Sequence, residues 1–315
     1  MIPSLYLRLS VTDHCNLHCA YCRPERRDGA SDAAERLSCD EIVRAAVLAN
    51  DVIPLRKLRL TGGEPLLRTD IVEIVRTARA SLPRTTLCLT TNGLRLAALA
   101  APLYEAGVRA LNVSLDTTDA DVFRALTGAA ALHRVVQGIQ AASEIGFDRF
   151  KLNAVLLKGC SEEQILPLVQ LACESGAEMR FIELMPSGAG SVMHPGRYLP
   201  AAEALERLKR ELHYEGCLGR TGTAARHRFR DGDRIVTVGF ITPVSEPFCA
   251  GCDRLRLDSR GCLYGCLHSA HRISLAPWLA GGDDEAVRDA YSWMLSRKAG
   301  LARRWSRKPM VAIGG

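Results

Sequence analysis

A chain of 315 residues with 47% hydrophobic and 24% charged residues can bury one large α/β domain with an appendage, or two ordinary domains, which excludes a disordered or fibrous protein. The opening residues MIPSLYLRLS contain Arg8 and no uninterrupted apolar stretch, so they do not read as a secretory signal, and no window reaches the roughly 18 consecutive apolar residues of a membrane span. A cytoplasmic protein with no membrane or nucleic-acid partner is therefore expected, and the net charge of +6 points only weakly to an anionic ligand, because six of the 41 basic residues are lysine and the arginine excess can follow from genomic composition.

Along the chain, a short apolar run, a loop and an amphipathic helix recur, which is the rhythm of parallel β/α units. The spacing predicts strands at Leu5–Val11, Lys57–Thr61, Thr86–Thr91, Leu111–Leu115, Phe150–Leu156 and Met179–Met185. On the first of these, Leu5, Leu7, Leu9 and Val11 take one face while Tyr6, Arg8 and Ser10 take the other. Lys57, Arg59 and Thr61 alternate in the same way, so both strands turn charge toward a polar interior. Ser38 with Glu41 forms a capping box ahead of Ile42, Val43, Ala46 and Val47, and predicts a helix there. A second helix is expected after Ser161, with Glu162 and Glu163 at its positive end. The rhythm breaks after a helix at Ala201–Leu212. A β-hairpin is expected from Arg226 to Phe240 about Asp231-Gly232, so residues 1–212 and 213–315 divide into a β/α region and a C-terminal layer. Rhythm alone leaves a closed barrel, a partial barrel and an open doubly wound sheet as alternatives.

Twelve cysteines are many for a cytosolic chain, where disulfides rarely persist, so metal or redox chemistry leads. Cys15, Cys19 and Cys22 follow the first strand in a CxxxCxxC loop that can ligate three irons of a four-iron cubane and leave one open. The competing reading is a zinc site completed by His14 or His18. Tyr21 before the last cysteine, and Gly62-Gly63-Glu64-Pro65 after the second strand, count against zinc. Gly62 and Gly63 are expected to permit close backbone approach to the polar end of a ligand. A second group, Cys249, Cys252 and Cys266, again supplies three thiolates, with Cys262 an optional fourth. The remaining cysteines read as packing residues.

The CxxxCxxC loop followed by GGEP resembles the radical S-adenosylmethionine superfamily. The ordered series LRLSVTD, RLTGGEPLLR, LTTNG, NVSLD, KLNAVLLKG, RFIELMP and PVSEPFCAGCDRLRL, with Gly314-Gly315 at the end, resembles the GTP 3′,8-cyclases of molybdenum cofactor biosynthesis, the MoaA family. That resemblance covers almost the whole chain. It implies a partial (β/α)6 TIM-like barrel covered by a C-terminal layer, two four-iron clusters, and S-adenosylmethionine bound at the open iron of the first. It implies Cys15, Cys19 and Cys22 as ligands of the first cluster and Cys249, Cys252 and Cys266 as ligands of the second. Tyr21, Gly63, Ser114 and Met185 would contact S-adenosylmethionine. Arg8, Arg59, Thr90, Lys151, Arg180, Arg254 and Arg256 would contact GTP, with Lys57 nearby, and Arg254 and Arg256 would also serve the reaction.

The implied reaction is hydrogen abstraction from C3′ of GTP by a 5′-deoxyadenosyl radical, addition of C3′ to C8, and completion by an electron and a proton to 3′,8-cyclo-7,8-dihydro-GTP. A reductant, a downstream pterin-forming enzyme and a second copy of the chain are the implied partners. The glycine tail would insert into the active site. Asp253, Tyr264 and His268 depart from the family pattern beside the second cysteine group. Another radical enzyme with an auxiliary cluster, such as a peptide maturase, and a non-catalytic metal-binding protein are the alternatives.

Overall fold

The computed structural model describes residues 4–22, 36–249, 251–269 and 271–298. The expected strands all form, β3 with the expected bounds and the others with shifted ends: β1 (Leu5–Ser10), β2 (Leu55–Thr61), β3 (Thr86–Thr91), β4 (Ala110–Ser114), β5 (Arg149–Leu156) and β6 (Glu178–Glu183). Helices α1 (Cys39–Val52), α2 (Ile71–Ser81), α3 (Leu96–Ala106), α4 (Ala120–Thr127), α5 (Leu132–Ile145) and α6 (Ile165–Glu174) connect them. On β1 Leu5, Leu7 and Leu9 are fully buried against the helices while Tyr6 and Arg8 are half-buried on the other face, and the alternation ends at Ser10, which is buried too. The capping box at α1 is present: the Glu41 amide donates to the Ser38 hydroxyl and the Ser38 amide donates to the Glu41 carboxylate. Ile42, Val43, Ala46 and Ala49 then face the sheet on one side of that helix.

The helix expected after Ser161 begins later, at Ile165, with Gln164 at its N-cap and no side-chain cap. Ser161 and Glu162 serve the preceding turn instead. The Ser161 hydroxyl accepts from the Leu157 amide at 2.8 Å, and Glu162 accepts from the Gly159 amide at 2.9 Å. β6 also stops before Met185, because Leu184 and Met185 leave the ladder and the Ser187 amide closes a turn onto the Met185 carbonyl.

After α7 (Gly190–Arg197) and α8 (Ala201–Glu211) the chain forms β7 (His213–Thr221), β8 (Ala224–Asp231) and β9 (Arg234–Ile241). The hairpin is where the pattern placed it, but Asp231 pairs with Arg234, so its central residues are Gly232-Asp233 rather than Asp231-Gly232. Gly232 takes φ 58°, as a two-residue hairpin turn demands of its first central position. Short strands β10 (Arg254–Leu257), β11 (Cys262–Tyr264) and β12 (Arg272–Ser274) follow, then α9 (Ala276–Gly281) and α10 (Asp284–Arg297).

The twelve strands among the described residues belong to one sheet, ordered β12-β11-β10-β1-β2-β3-β4-β5-β6-β9-β8-β7. The late strands β10 and β9 join the parallel array beside β1 and β6, so the C-terminal region extends both edges of the β/α barrel wall. The sheet remains open between β12 and β7, which makes the barrel partial. Among the described residues no helix is long and apolar enough to cross a membrane.

Candidate active site

The CxxxCxxC loop leaves the C-terminal end of β1 and is clamped by the GGEP segment. The Gly63 amide donates to the Thr12 carbonyl at 2.7 Å, and the Glu64 amide donates to the His14 carbonyl at 2.6 Å. A Cβ at Gly63 would lie 2.1 Å from the His14 carbonyl oxygen, and one at Gly62 would lie 2.4 Å from that of Thr12. At such close range these glycines admit the backbone of the cysteine loop itself. Glu64 is buried and accepts from the Thr91 hydroxyl, the Asn92 amide and the Leu66 amide. Burial pushes its carboxyl up to about 7 against those donors, and the contacts join GGEP to LTTNG.

Cys19 is held well above the usual thiol value by burial, by Asp116 and by the neighbouring Cys22 and Cys15, so the three thiols share one electrostatic environment. The Cys22 amide donates to the Cys19 carbonyl at 2.9 Å, closing the loop. Tyr21 reaches across the barrel mouth and donates its hydroxyl to Asp116 at 2.7 Å, and Asp116 also accepts from the Val155 amide at 2.8 Å. Ser114 is exposed at the end of β4, opposite Asn153 on β5, whose buried Oδ1 has no hydrogen-bond partner. That acceptor, facing the mouth beside an exposed hydroxyl, suits the donors of a bound ligand.

Deeper in the barrel the cations converge. Register places Arg256, Arg8 and Arg59 side by side on β10, β1 and β2, and Arg254, Tyr6 and Lys57 side by side one step below. Arg59 is buried, donating from Nε to the Tyr6 hydroxyl at 2.7 Å and from Nη1 to Thr90 Oγ1 at 3.0 Å. Burial, with Arg8 and Arg254 beside it, drives the Arg256 guanidinium well below its usual value. Across the interior, Glu178 gathers Lys151 at 3.5 Å, Arg180 at 2.7 Å and Arg226 at 3.6 Å. Burial and Arg180 lower Lys151 to about 8. So many cations on one enclosed face call for an anion larger than the single Glu178 carboxylate.

The second cysteine group lies around β10 and β11. The Cys252 amide donates to the Cys249 carbonyl at 3.2 Å, Cys249 is exposed, and Cys266 is electrostatically coupled to Arg256. Thus the second group adjoins the cationic floor. Among the described residues no three His, Cys, Asp or Glu side chains are drawn to the spacing of a single metal ion. Met185 packs against Tyr264 and Leu267, beside Cys262.

Comparison with known proteins agrees with this geometry. The radical SAM superfamily model matches residues 9–172, and the Molybdenum Cofactor Synthesis C model matches residues 177–302. A GTP 3′,8-cyclase of Pelotomaculum thermopropionicum is 39% identical over 319 residues, covering 98% of this chain and 97% of that relative. A GTP 3′,8-cyclase of Xanthomonas campestris pv. campestris strain B100 is 37% identical, covering 99% and 95%. The chain belongs to the GTP 3′,8-cyclase family. Among solved structures, Streptococcus suis SuiB bound to S-adenosylmethionine superposes with a TM-score of 0.67 at 17% identity, covering 94% of this chain and 68% of that one, which shows the shared fold.

Membership of the GTP 3′,8-cyclase family brings iron–sulfur clusters and S-adenosylmethionine, and the residues present fit them. Three cysteines on one loop, with Cys19 raised by burial, by Asp116 and by the other two, suit the positive core of an iron–sulfur cluster, and the buried Asn153 Oδ1 has no partner beside the exposed Ser114. The family departures also have local explanations. Asp253 pairs with Arg56 at 2.6 Å, the Tyr264 hydroxyl donates to Asp258 at 3.0 Å, and His268 Nδ1 lies 3.1 Å from the Ser187 hydroxyl. Burial, with Arg256 nearby, lowers His268 to about 4. Gly314 and Gly315 lie outside the described residues.

Sequence reasoning missed Glu178, Arg226, Asp116, Asn153 and Glu183. Asp116 ends the NVSLD phrase and Glu183 sits inside RFIELMP, so motif membership was the available signal. Arg226 had none, because it reaches Glu178 only where Gly239 on β9 leaves the way open.

Proposed function

We propose that this chain is a GTP 3′,8-cyclase that forms 3′,8-cyclo-7,8-dihydro-GTP, the first step of molybdenum cofactor biosynthesis. The observation that carries the reading is the row Arg256–Arg8–Arg59, built in register on the face that lies between the two cysteine groups. Triphosphate charge answers that row, together with Lys57, Lys151 and Arg180, while Thr90 holds Arg59 in place. Cys15, Cys19 and Cys22 would hold one four-iron cluster, and Cys249, Cys252 and Cys266 the other. Tyr21, Gly63, Ser114 and Met185 are assigned to S-adenosylmethionine. The Tyr21 hydroxyl is already committed to Asp116, which leaves its ring and backbone for the cofactor.

Held by Cys15, Cys19 and Cys22, the first cluster would supply the electron for reductive cleavage of S-adenosylmethionine, the source of the radical that would take hydrogen from C3′ of GTP. C3′ then bonds to C8, and one electron and one proton complete the product. Arg254 and Arg256, between the triphosphate floor and Cys266, orient the nucleotide for this closure. A cytoplasmic location, an external reductant, a downstream pterin-forming enzyme and a homodimer belong to the same reading.

The test is anaerobic reconstitution followed by incubation with GTP, S-adenosylmethionine and a reductant. About eight irons per chain and a cyclised nucleotide formed with 5′-deoxyadenosine are expected. Formation of 5′-deoxyadenosine without a GTP-derived product would leave a radical enzyme of another specificity. Zinc in place of iron would end the enzyme reading.

A further inference from the structure

Glu183 is the last residue of β6 and is 1% exposed. Its Oε1 accepts from the Tyr198 hydroxyl at 3.1 Å, the Ala201 amide at 3.2 Å and the Ser245 hydroxyl at 2.6 Å. Its Oε2 accepts from the backbone amides of Val244 at 3.1 Å and Ser245 at 2.9 Å. Every partner is a donor, which suits a carboxylate and no neutral side chain of the same shape.

Three segments meet at this one group. The first is the end of β6, which continues directly into Leu184 and Met185. The second is the connection from α7 to α8 through Tyr198 and Ala201. The third is the turn after β9, closed by the Glu246 amide on the Thr242 carbonyl at 3.2 Å and braced by Arg220 on Glu246 at 3.0 Å. That turn leads immediately to Cys249 and Cys252.

We propose that Glu183 is the positioning residue of the second cysteine site: it fixes the turn from which the chain runs on to Cys249 and Cys252 and ties that turn to the segment carrying Met185. The inference rests on the reading of Cys249, Cys252 and Cys266 as cluster ligands. Glu183 touches neither cysteine, so it acts through the backbone of Val244 and Ser245. Glu183→Gln keeps the shape but sets an NH2 donor against donors at one oxygen position or the other, which detaches the turn or the α7–α8 connection.

The test compares anaerobically reconstituted wild type, Glu183→Gln and Ser245→Ala by iron content and by reductive cleavage of S-adenosylmethionine without GTP. Wild type should hold about eight irons and Glu183→Gln about four, with 5′-deoxyadenosine formation retained and the cyclised nucleotide lost. Ser245→Ala, which removes one donor from Glu183 and leaves the Val244 and Ser245 amides in place, should lower the same irons in part. In a background of Cys249→Ala, Cys252→Ala and Cys266→Ala, adding Glu183→Gln should remove no further iron. An unchanged iron content in Glu183→Gln overturns the inference, as does parallel loss of iron from both sites, which would mark a general structural role. About four irons in wild type would instead remove the two-cluster reading, and this inference with it.

Discussion

Tyr6 is a phenol set among cations. Its hydroxyl accepts from Arg59 Nε at 2.7 Å and Arg8 Nη1 at 3.5 Å, while Lys57 and Arg254 lie 5.3 and 5.9 Å from its ring centroid. Burial and Cys88 work to raise it, but Arg59, Arg8 and Arg254 outweigh them and bring it from 10.0 to about 7. A phenol held below its unfolded value carries fewer protons folded than unfolded, so its contribution to stability grows as pH rises from the folded value and is lost as pH falls through it. For this shift the contribution is about 0.4 kcal/mol at about pH 7, about 1.4 at about pH 8 and about 2.7 at about pH 9. Tyr6→Phe removes it. The stability gap between wild type and Tyr6→Phe, read from urea unfolding of the reconstituted proteins, should therefore widen by about 2 kcal/mol from about pH 7 to about pH 9. A triphosphate competes with the phenolate for the same arginines, so wild-type affinity for GTP should fall over that range and that of Tyr6→Phe should fall less. A gap that stays constant with pH would refute the reasoning.

Gly63→Ala brings a Cβ to 2.1 Å from the His14 carbonyl oxygen, with backbone on both sides and no flexible atom to yield. It should destabilise the protein by the upper end of roughly 1–3 kcal/mol and strip iron from the Cys15 group; unchanged unfolding and iron content would contradict the clamp. Arg226→Gln should raise KM for GTP about tenfold or more, as loss of a charge-assisted contact does, and leave KM for S-adenosylmethionine unchanged. Equal shifts in both would assign Arg226 to the fold alone.

How much could be read beforehand depended on how local each signal was. The alternation on β1 sorted Leu5, Leu7 and Leu9 from Tyr6 and Arg8 because side chains alternate along a strand whatever its neighbours. The capping box of Ser38 and Glu41 closes within one turn, and it formed as expected. Ser161 carried the same kind of signal and misled, because its hydroxyl found the Leu157 amide in a tight turn before any helix could use it. Long-range placements were out of reach. The Asp231 turn announced a hairpin, but nothing in the pattern of β9 announced that Val238 and Phe240 would also pair with β6. The same holds for β10, whose Arg254 and Arg256 join the cationic face by lying beside Tyr6 and Arg8. The cysteines and GGEP were visible as motifs, yet the reason for Gly62 and Gly63 lay in a contact with Thr12 and His14 across the fold.

The central claim is that the enzyme takes hydrogen from C3′ of GTP held on the arginine floor. GTP carrying deuterium at C3′, incubated anaerobically with the reconstituted protein, S-adenosylmethionine and a reductant, tests it directly by mass spectrometry of the 5′-deoxyadenosine. Deuterium should appear in 5′-deoxyadenosine in step with the cyclised nucleotide; 5′-deoxyadenosine free of deuterium, with GTP recovered intact, would contradict the account.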